Sequence, residues 1–378
     1  MTTLDPADVL KRAHAIGTYY GFDSFSHAAA RLKGTVKKGA YPEVALDQFE
    51  GHAKDVAAFL KKLRDAGLSP QPGRPLFLWH TNVAPGRTAP KNVVIQFHAI
   101  GADRAIADAV LIRAVRALAS DLSKDEPVVR INSMGDKETR ARLTKELSQF
   151  FRKRADVLPP ECVLKAREDL LSGAELVFSA EVHAGMPTST EHLSEASRKH
   201  FESVLEYLEE TETPYELAPH LLSRGGAWND VCFEIQAGEQ VSAWGSRYAD
   251  LVKHFFKGSG SSVGAVIKIV TEAKANVAPL KAKSRPRFVF VHIGDEAKRE
   301  SMKLADVLRR ARLPLTQVLG VESLTEQMRY AETLNPPYLI IMGRKEALER
   351  SVILRERSTH TESLIPLDSL VEQLRTVG

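Results

Sequence analysis

Leu76-Phe77-Leu78-Trp79-His80 and Asn92-Val93-Val94-Ile95-Gln96-Phe97-His98-Ala99-Ile100-Gly101 are apolar runs on either side of a loop that holds Pro85, Gly86, Arg87, Pro90 and Lys91. Residues with β preference around a Gly/Pro loop predict an antiparallel hairpin. Both runs are apolar at successive rather than alternate positions, which predicts a pair central in a sheet covered on both faces. Asp103 stands where it can N-cap the apolar-periodic segment from Ile106 to Leu122, which would then lie across that sheet.

Toward the N-terminus, Asp5-Pro6 followed by Val9, Leu10, Ala13, Ile16 and Tyr20 supplies a cap, a first-turn proline and a helical stripe that Gly21 closes. Between Pro42 and Leu68, Leu46, Phe49, Val56, Phe59, Leu60 and Leu63 recur at helical spacing, with Gly67 as a stop. After the hairpin, Val128 to Ser133 predicts a strand, Met134-Gly135 a turn, and Leu143, Leu147, Phe150 and Phe151 the inner face of a helix. Two more helices follow, the clearer from Glu191 to Glu210.

The periodicity breaks at Ala275 to Arg287, where Pro279, Pro286 and several Lys and Arg mark a domain boundary. Beyond it, strands at Arg287 to Ile293, Leu315 to Leu319, Tyr338 to Gly343 and Val352 to Arg357 alternate with helices at Asp295 to Arg312, Glu322 to Leu334 and from Asp368. That alternation predicts a compact, mainly parallel sheet covered by helices. The expected division is 1–280, with a helical insertion at about 155–212, and 287–378.

A chain of 378 residues that is 43% hydrophobic can bury a full core. Its 52 basic and 48 acidic residues leave a net charge of only +4, compatible with a polyanionic partner without demanding one. No apolar run reaches the roughly 18 residues of a membrane span, and Met1-Thr2-Thr3-Leu4-Asp5 is unlike a signal peptide, so a cytoplasmic protein is expected. Cys162 and Cys232 are the only cysteines, without the spacing of a zinc site, so no metal is expected.

The order of the hairpin, Val128-Val129-Arg130-Ile131-Asn132-Ser133-Met134-Gly135, Leu158-Pro159-Pro160-Glu161-Cys162, Leu222-Ser223-Arg224-Gly225, Cys232-Phe233-Glu234 and Gly245-Ser246-Arg247-Tyr248 resembles the class II histidyl-tRNA synthetases, from about Tyr20 to the end of the chain. Ile340-Ile341-Met342-Gly343 and Ile365-Pro366-Leu367 resemble the anticodon-binding domain that the histidyl, glycyl, threonyl and prolyl enzymes share. The resemblance implies an α+β class II aminoacyl-tRNA synthetase-like antiparallel-sheet domain followed by an α/β anticodon-binding-like domain. It also implies a homodimer, through Gly21-Phe22-Asp23-Ser24-Phe25, which is similar to the start of the first class II motif. The hairpin would be the second motif, whose loop grips ATP.

The family's activation chemistry rests on cations over the phosphates, because charge develops there in the transition state. At the place of the motif 2 Phe-Arg pair stand Val83-Ala84-Pro85, and Arg87 comes slightly later. The arginines leading into the second strand are replaced by Val93, Val94 and Ile95. In motif 3, Gly264 matches the glycine that admits ATP, while Lys268 stands for the second glycine and Thr271 for the arginine that meets the γ-phosphate. Arg87 and Lys268 are the remaining candidates for nucleotide contact, and no catalytic residue is assigned. The Arg-Pro-Glu-Gly-Thr-like run that holds the amino acid in the family has no counterpart between Pro42 and Leu68.

Parts of a histidine-like pocket match the family. Asp103 falls at the place of a glutamate that accepts from the imidazole, Arg224-Gly225 matches an arginine-glycine pair, and Arg247-Tyr248 an arginine-tyrosine pair. Asp103, Arg224 and Tyr248 are therefore candidate ligand residues, against a helix cap, an ion pair with a carboxylate such as Glu234, and core packing. In the second domain Arg344, Lys345, Arg355 and Arg357 are candidates for RNA phosphate contact, against an ordinary solvated face interleaved with glutamates.

Three functions compete. The departures at the ATP groups favour a synthetase-like paralogue without aminoacylation, needing no cofactor, that binds tRNA, another structured RNA or a protein. A divergent, active histidine-tRNA ligase would use ATP and magnesium. A histidine-sensing regulator resembling the ATP phosphoribosyltransferase regulatory subunit is the third, although that family usually lacks the C-terminal domain.

Overall fold

The computed structural model describes residues 4–31, 44–49, 51–71, 75–84, 87–88, 91–222, 228–256, 260–272, 277, 286–317, 321 and 323–377. Helix α1 (Pro6–Tyr19) starts as its sequence dictates, with the Asp5 carboxylate accepting from the Ala7 amide at 2.8 Å. Strand β1 (Asp23–Ser24) and α2 (Phe25–Arg31) follow, then α3 (Gly51–Asp65). The hairpin forms as β2 (Leu76–Thr81) and β3 (Asn92–Ile100), paired antiparallel from Leu76↔Ile100 to Thr81↔Ile95.

The remaining elements of the first domain are α4 (Ala105–Leu122), β4 (Val128–Ser133), α5 (Lys137–Arg154), α6 (Pro160–Glu168), α7 (Leu170–Ser179), α8 (Glu195–Glu210), β5 (Glu216–Leu217), β6 (Asn229–Ala237), β7 (Val241–Arg247), α9 (Ala249–Lys253) and β8 (Val263–Val270). They complete an eight-stranded sheet in the order β1-β2-β3-β8-β7-β6-β4-β5. The hairpin lies within this sheet, but β2 is next to its edge, where among the described residues the two-residue β1 pairs with it.

Alternate residues of each strand serve different faces. Val93, Ile95, Phe97 and Ala99 of β3 join α1, α4 and α8 in the main core, while Leu78, Ile100 and Val266 meet α3 and α9 on the other face. The expected cover on both faces of the hairpin is present. The expected cap is not: α4 begins after Arg104 with no side-chain cap, and Asp103 Oδ1 instead accepts from the Ser261 amide at 2.6 Å. The competitor is Arg247, whose guanidinium donates to the carbonyls of Ala102 and Arg104, each at 3.0 Å, and so fixes this turn from inside.

The second domain contains β9 (Phe288–His292), α10 (Asp295–Arg310), β10 (Leu315–Gln317), α11 (Leu324–Leu334), β11 (Tyr338–Met342), α12 (Arg344–Leu348), β12 (Ser351–Glu356), β13 (Glu362–Pro366) and α13 (Leu367–Thr376). Its five-stranded sheet runs β10-β9-β11-β12-β13. The first three strands are mutually parallel, but β12 and β13 pair antiparallel, so the sheet is mixed where mainly parallel pairing is expected from sequence. The reason is local: β12 and β13 are joined by a short turn through Arg357 to Thr361 rather than by a crossover helix.

Charged contacts lock α10 onto the first domain. Asp306 receives Tyr20 Oη and Arg113, which is buried, while Arg309 meets Asp121 at 2.8 Å. Arg299 pairs with Glu210 and lies 5.0 Å above the Tyr207 ring. Gln317 donates to the Tyr19 carbonyl at 2.7 Å, which adds β10 to the same junction.

Candidate functional site

The face of the large sheet opposite α4 divides into a filled half and an open half. Over β2, β3 and β8 the face is filled by α3, which lays Val56, Phe59, Leu60 and Leu63 onto Leu78, Ile100 and Val266. Phe59 stacks on His98 with ring centres 4.5 Å apart and planes at 13°, and lies over His80 at 5.4 Å. His98 Nε2 donates to Gln96 Oε1 at 3.0 Å, which leaves Nδ1 to accept from Tyr248 Oη at 2.7 Å. Burial lowers the pKa of His98 to about 3 and, with the nearby Lys62 ammonium, that of His80 to about 4. Both rings are therefore neutral at physiological pH. Burial also holds the Tyr248 phenol well above its ordinary value.

Gly264 is the pivot of this filled half. A Cβ there would lie 2.2 Å from His98 Nδ1 and 3.0 Å from Tyr248 Cε1. The space left by the missing side chain is thus taken by two rings of the same chain. Thr271, at the end of β8, is buried, and its amide donates to the Lys91 carbonyl at 2.7 Å.

The open half spans β8, β7 and β6 and is a cavity of about 1710 Å³. Cross-strand register sets its floor as two rows, Glu234-Trp244-Val266 and Gln236-Ser242-Lys268. His52 at the start of α3 stacks on Trp244 at 5.2 Å with planes at 8°, and Trp228 meets the same indole edge-on at 4.6 Å. Glu234 receives Arg130 at 3.0 Å, with His220 at 3.9 Å. Helices α7 and α9 form the walls, and the pair with Lys253 keeps the Asp250 carboxyl below its ordinary pKa.

The residues expected from sequence scatter around this geometry. Lys268 lines the cavity. Tyr248 is fully buried against His98, and Asp103 caps the turn at Ser261, so neither lines the cavity. Arg87 is exposed in the hairpin loop, and Arg224 lies outside the described residues. Arg247 is buried behind the sheet, where its Nε reaches Asp108 at 3.0 Å. Burial opposes ionisation of Asp108, but Arg247 and His200 outweigh it and hold the pKa below the ordinary value. Cys232 is also buried, which raises its thiol to about 12 and removes it as a nucleophile.

In the second domain Arg344 meets Glu296 at 3.1 Å, Lys345 meets Glu349 at 4.0 Å, Arg355 meets Glu362 at 3.4 Å, and Arg357 bonds Asn335. Glutamates thus partner Arg344, Lys345 and Arg355, with Arg344 and Lys345 remaining exposed. Lys298 is buried within α10.

Glu234, Trp244 and His52 are cavity residues that motif reasoning passes over. Alternation along β6 and β7 is the signal that finds the first two, since Glu234, Gln236, Ser242 and Trp244 are polar or amphipathic residues on one face of strands whose other face is apolar. Only the packing of α3 brings His52 to them.

The chain is similar to several known proteins. Residues 274–376 match the family model of the anticodon binding domain. The chain is 24% identical over 292 residues to a histidine-tRNA ligase of Thermosipho melanesiensis, covering 74% of this chain and 70% of that one. It is 27% identical over 282 residues to the ligase of Fervidobacterium nodosum, covering 71% and 67%. Among solved structures, apo histidyl-tRNA synthetase of S. aureus aligns with a TM-score of 0.46 at 18% identity, over 99% of this chain and 100% of that chain. An ATP phosphoribosyl transferase complex from Thermotoga maritima aligns with a TM-score of 0.39 at 14% identity, over 72% and 98%.

Proposed function

Because the chain belongs to the class II histidyl-tRNA synthetase-like family, with an antiparallel-sheet domain followed by an anticodon-binding domain, we propose that it is a paralogue that does not activate an amino acid and that acts by binding RNA. The observation that carries the loss of catalysis is the filled half of the sheet: α3 covers the hairpin, and His98 and Tyr248 occupy the space above Gly264. The residues there do not fit ATP. A triphosphate needs preorganised cations, and the described groups packed above Gly264 are neutral rings and aliphatic side chains, with the Lys62 ammonium lying beside His80. Losing such groups at a phosphate-transfer site removes several kcal/mol of transition-state stabilisation, hence orders of magnitude in rate. No ATP, magnesium or other cofactor enters this reading.

The test is histidine-dependent exchange of pyrophosphate into ATP by the purified chain, expected at the level of a buffer control. Turnover well above it that falls on Arg87→Ala would reinstate the divergent ligase.

RNA binding rests on the anticodon-binding domain and its exposed bases. Surface ion pairs such as Arg344 with Glu296 contribute about 0–1 kcal/mol, so a phosphate can replace the glutamate at little cost. Binding to tRNA should weaken steeply with salt, and the double change Arg344→Ala, Lys345→Ala should flatten the salt slope by roughly one unit for each base that pairs with a phosphate. No shift of tRNA at low salt would sink this half of the proposal and direct the search to a protein partner. A homodimer in the cytoplasm is part of the same reading, checked by light scattering at micromolar concentration, where the monomer mass alone would refute it.

A further inference from the structure

Interfaces between domains of one chain are usually polar and yielding, so relative motion of the domains is the ordinary expectation. The junction along α10 departs from this, because side chains cross it in both directions. Met302 of α10 is buried in the main core of the first domain. In return, Tyr19 of α1 packs against the core of the second domain, and its carbonyl accepts from the buried Gln317.

The charges are arranged the same way. Arg113 of α4 is 4% exposed, and among the described residues its ion pair is with Asp306 of α10. The Arg113 Nη1 is buried with no hydrogen-bond partner. Tyr20, at the end of α1, donates its hydroxyl to the same carboxylate. Without Asp306 the guanidinium would stay buried with no opposing charge, a state far costlier than an exposed unpaired one. The first domain thus draws both a counter-charge and a core side chain from the second. Arg104 with Asp295, Arg299 with Glu210 and Arg309 with Asp121 extend the contact along the helix.

We propose that α10 is a latch that makes the two domains one folding unit and holds the second domain fixed against the first, with Asp306 and Met302 as its catch. The cavity and the exposed Arg344 and Lys345 then keep a constant relation, and a perturbation in the second core is felt as lost stability in the first. The inference does not rest on RNA binding, since unfolding reads it with no ligand present.

The three tryptophans, Trp79, Trp228 and Trp244, all lie in the first domain, so their fluorescence follows that domain alone. The experiment is urea unfolding of the full chain, followed by tryptophan fluorescence and by circular dichroism, with and without Leu374→Ala. Leu374 lies on α13, fully buried in the second core. One coincident transition is expected in each chain, and Leu374→Ala should lower both midpoints by the same amount. In the Asp306→Ala, Met302→Ala chain the fluorescence transition should separate and no longer respond to Leu374→Ala. Ile365→Val makes the same test where Leu374→Ala fails to fold, and Asp306→Asn, expected to reduce the response, stands in where the double change does. Two transitions in the unaltered chain, a fluorescence midpoint that ignores both second-core changes, or a response undiminished in the latch variants would each overturn the proposal.

Discussion

Two halves of one sheet face, sharing strand β8, have taken opposite courses. The half over β2 and β3 is sealed by Phe59 on His98 and by Tyr248 above Gly264, while the half over β6 and β7 keeps glutamate, glutamine, serine and tryptophan facing a cavity. The backbone frame is the same, so the difference lies in which side chains α3 presents and which residues point upward from each strand.

The sealed half should carry stability, and removing its central ring is the strongest way to break the comparison. Phe59→Ala should cost about 4 kcal/mol, because it empties a packed site between two imidazoles. Denaturant unfolding measures this. A loss under about 1 kcal/mol would mean that α3 is not docked as described.

Acid should act next. His98 and His80 titrate at about 3 and about 4 in the fold, below the ordinary 6.5, so as pH falls the unfolded chain takes up protons first. Stability from each is complete above pH 6.5 and is lost as pH drops toward the folded value. From pH 7 to 5 that is about 2 kcal/mol per histidine. Urea midpoints across this range, compared with a His98→Phe, His80→Phe chain, should show the wild type falling more steeply.

Gly264→Ala sharpens the same contrast at one atom. The new methyl meets His98 and Tyr248, and overpacking of this kind costs about 1–3 kcal/mol. If the change were neutral, and nucleotide binding appeared, the space above Gly264 would be open. The smallest effect belongs to the open half, where Lys268→Ala should change stability by less than about 0.5 kcal/mol, since the side chain is exposed on the cavity floor.

Local patterns made much of this molecule legible. Asp5-Pro6 and the stripe after it specify α1, the Gly/Pro loop specifies the β2-β3 hairpin, and the spacing of Val56, Phe59, Leu60 and Leu63 specifies α3. Asp103 misleads because its cap position is one residue from a turn that Arg247, far along the chain, holds by the carbonyls of Ala102 and Arg104. Arg344 and Lys345 look like a basic patch in sequence, yet the Glu296 partner of Arg344 becomes visible only when α10 and α12 lie side by side.

By itself, then, the sequence determined the elements and the two-domain order, since these follow from period, caps and residue type within a short span. The tertiary structure alone decided where α3 lies, that His98 and Tyr248 fill the space over Gly264, and that Glu234, Trp244 and His52 share a cavity. Those groups are separated by tens to nearly two hundred positions in the chain, and no local propensity encodes their meeting. It is fixed by the cross-strand register and by burial of the apolar face of α3, which are properties of the whole packed sheet.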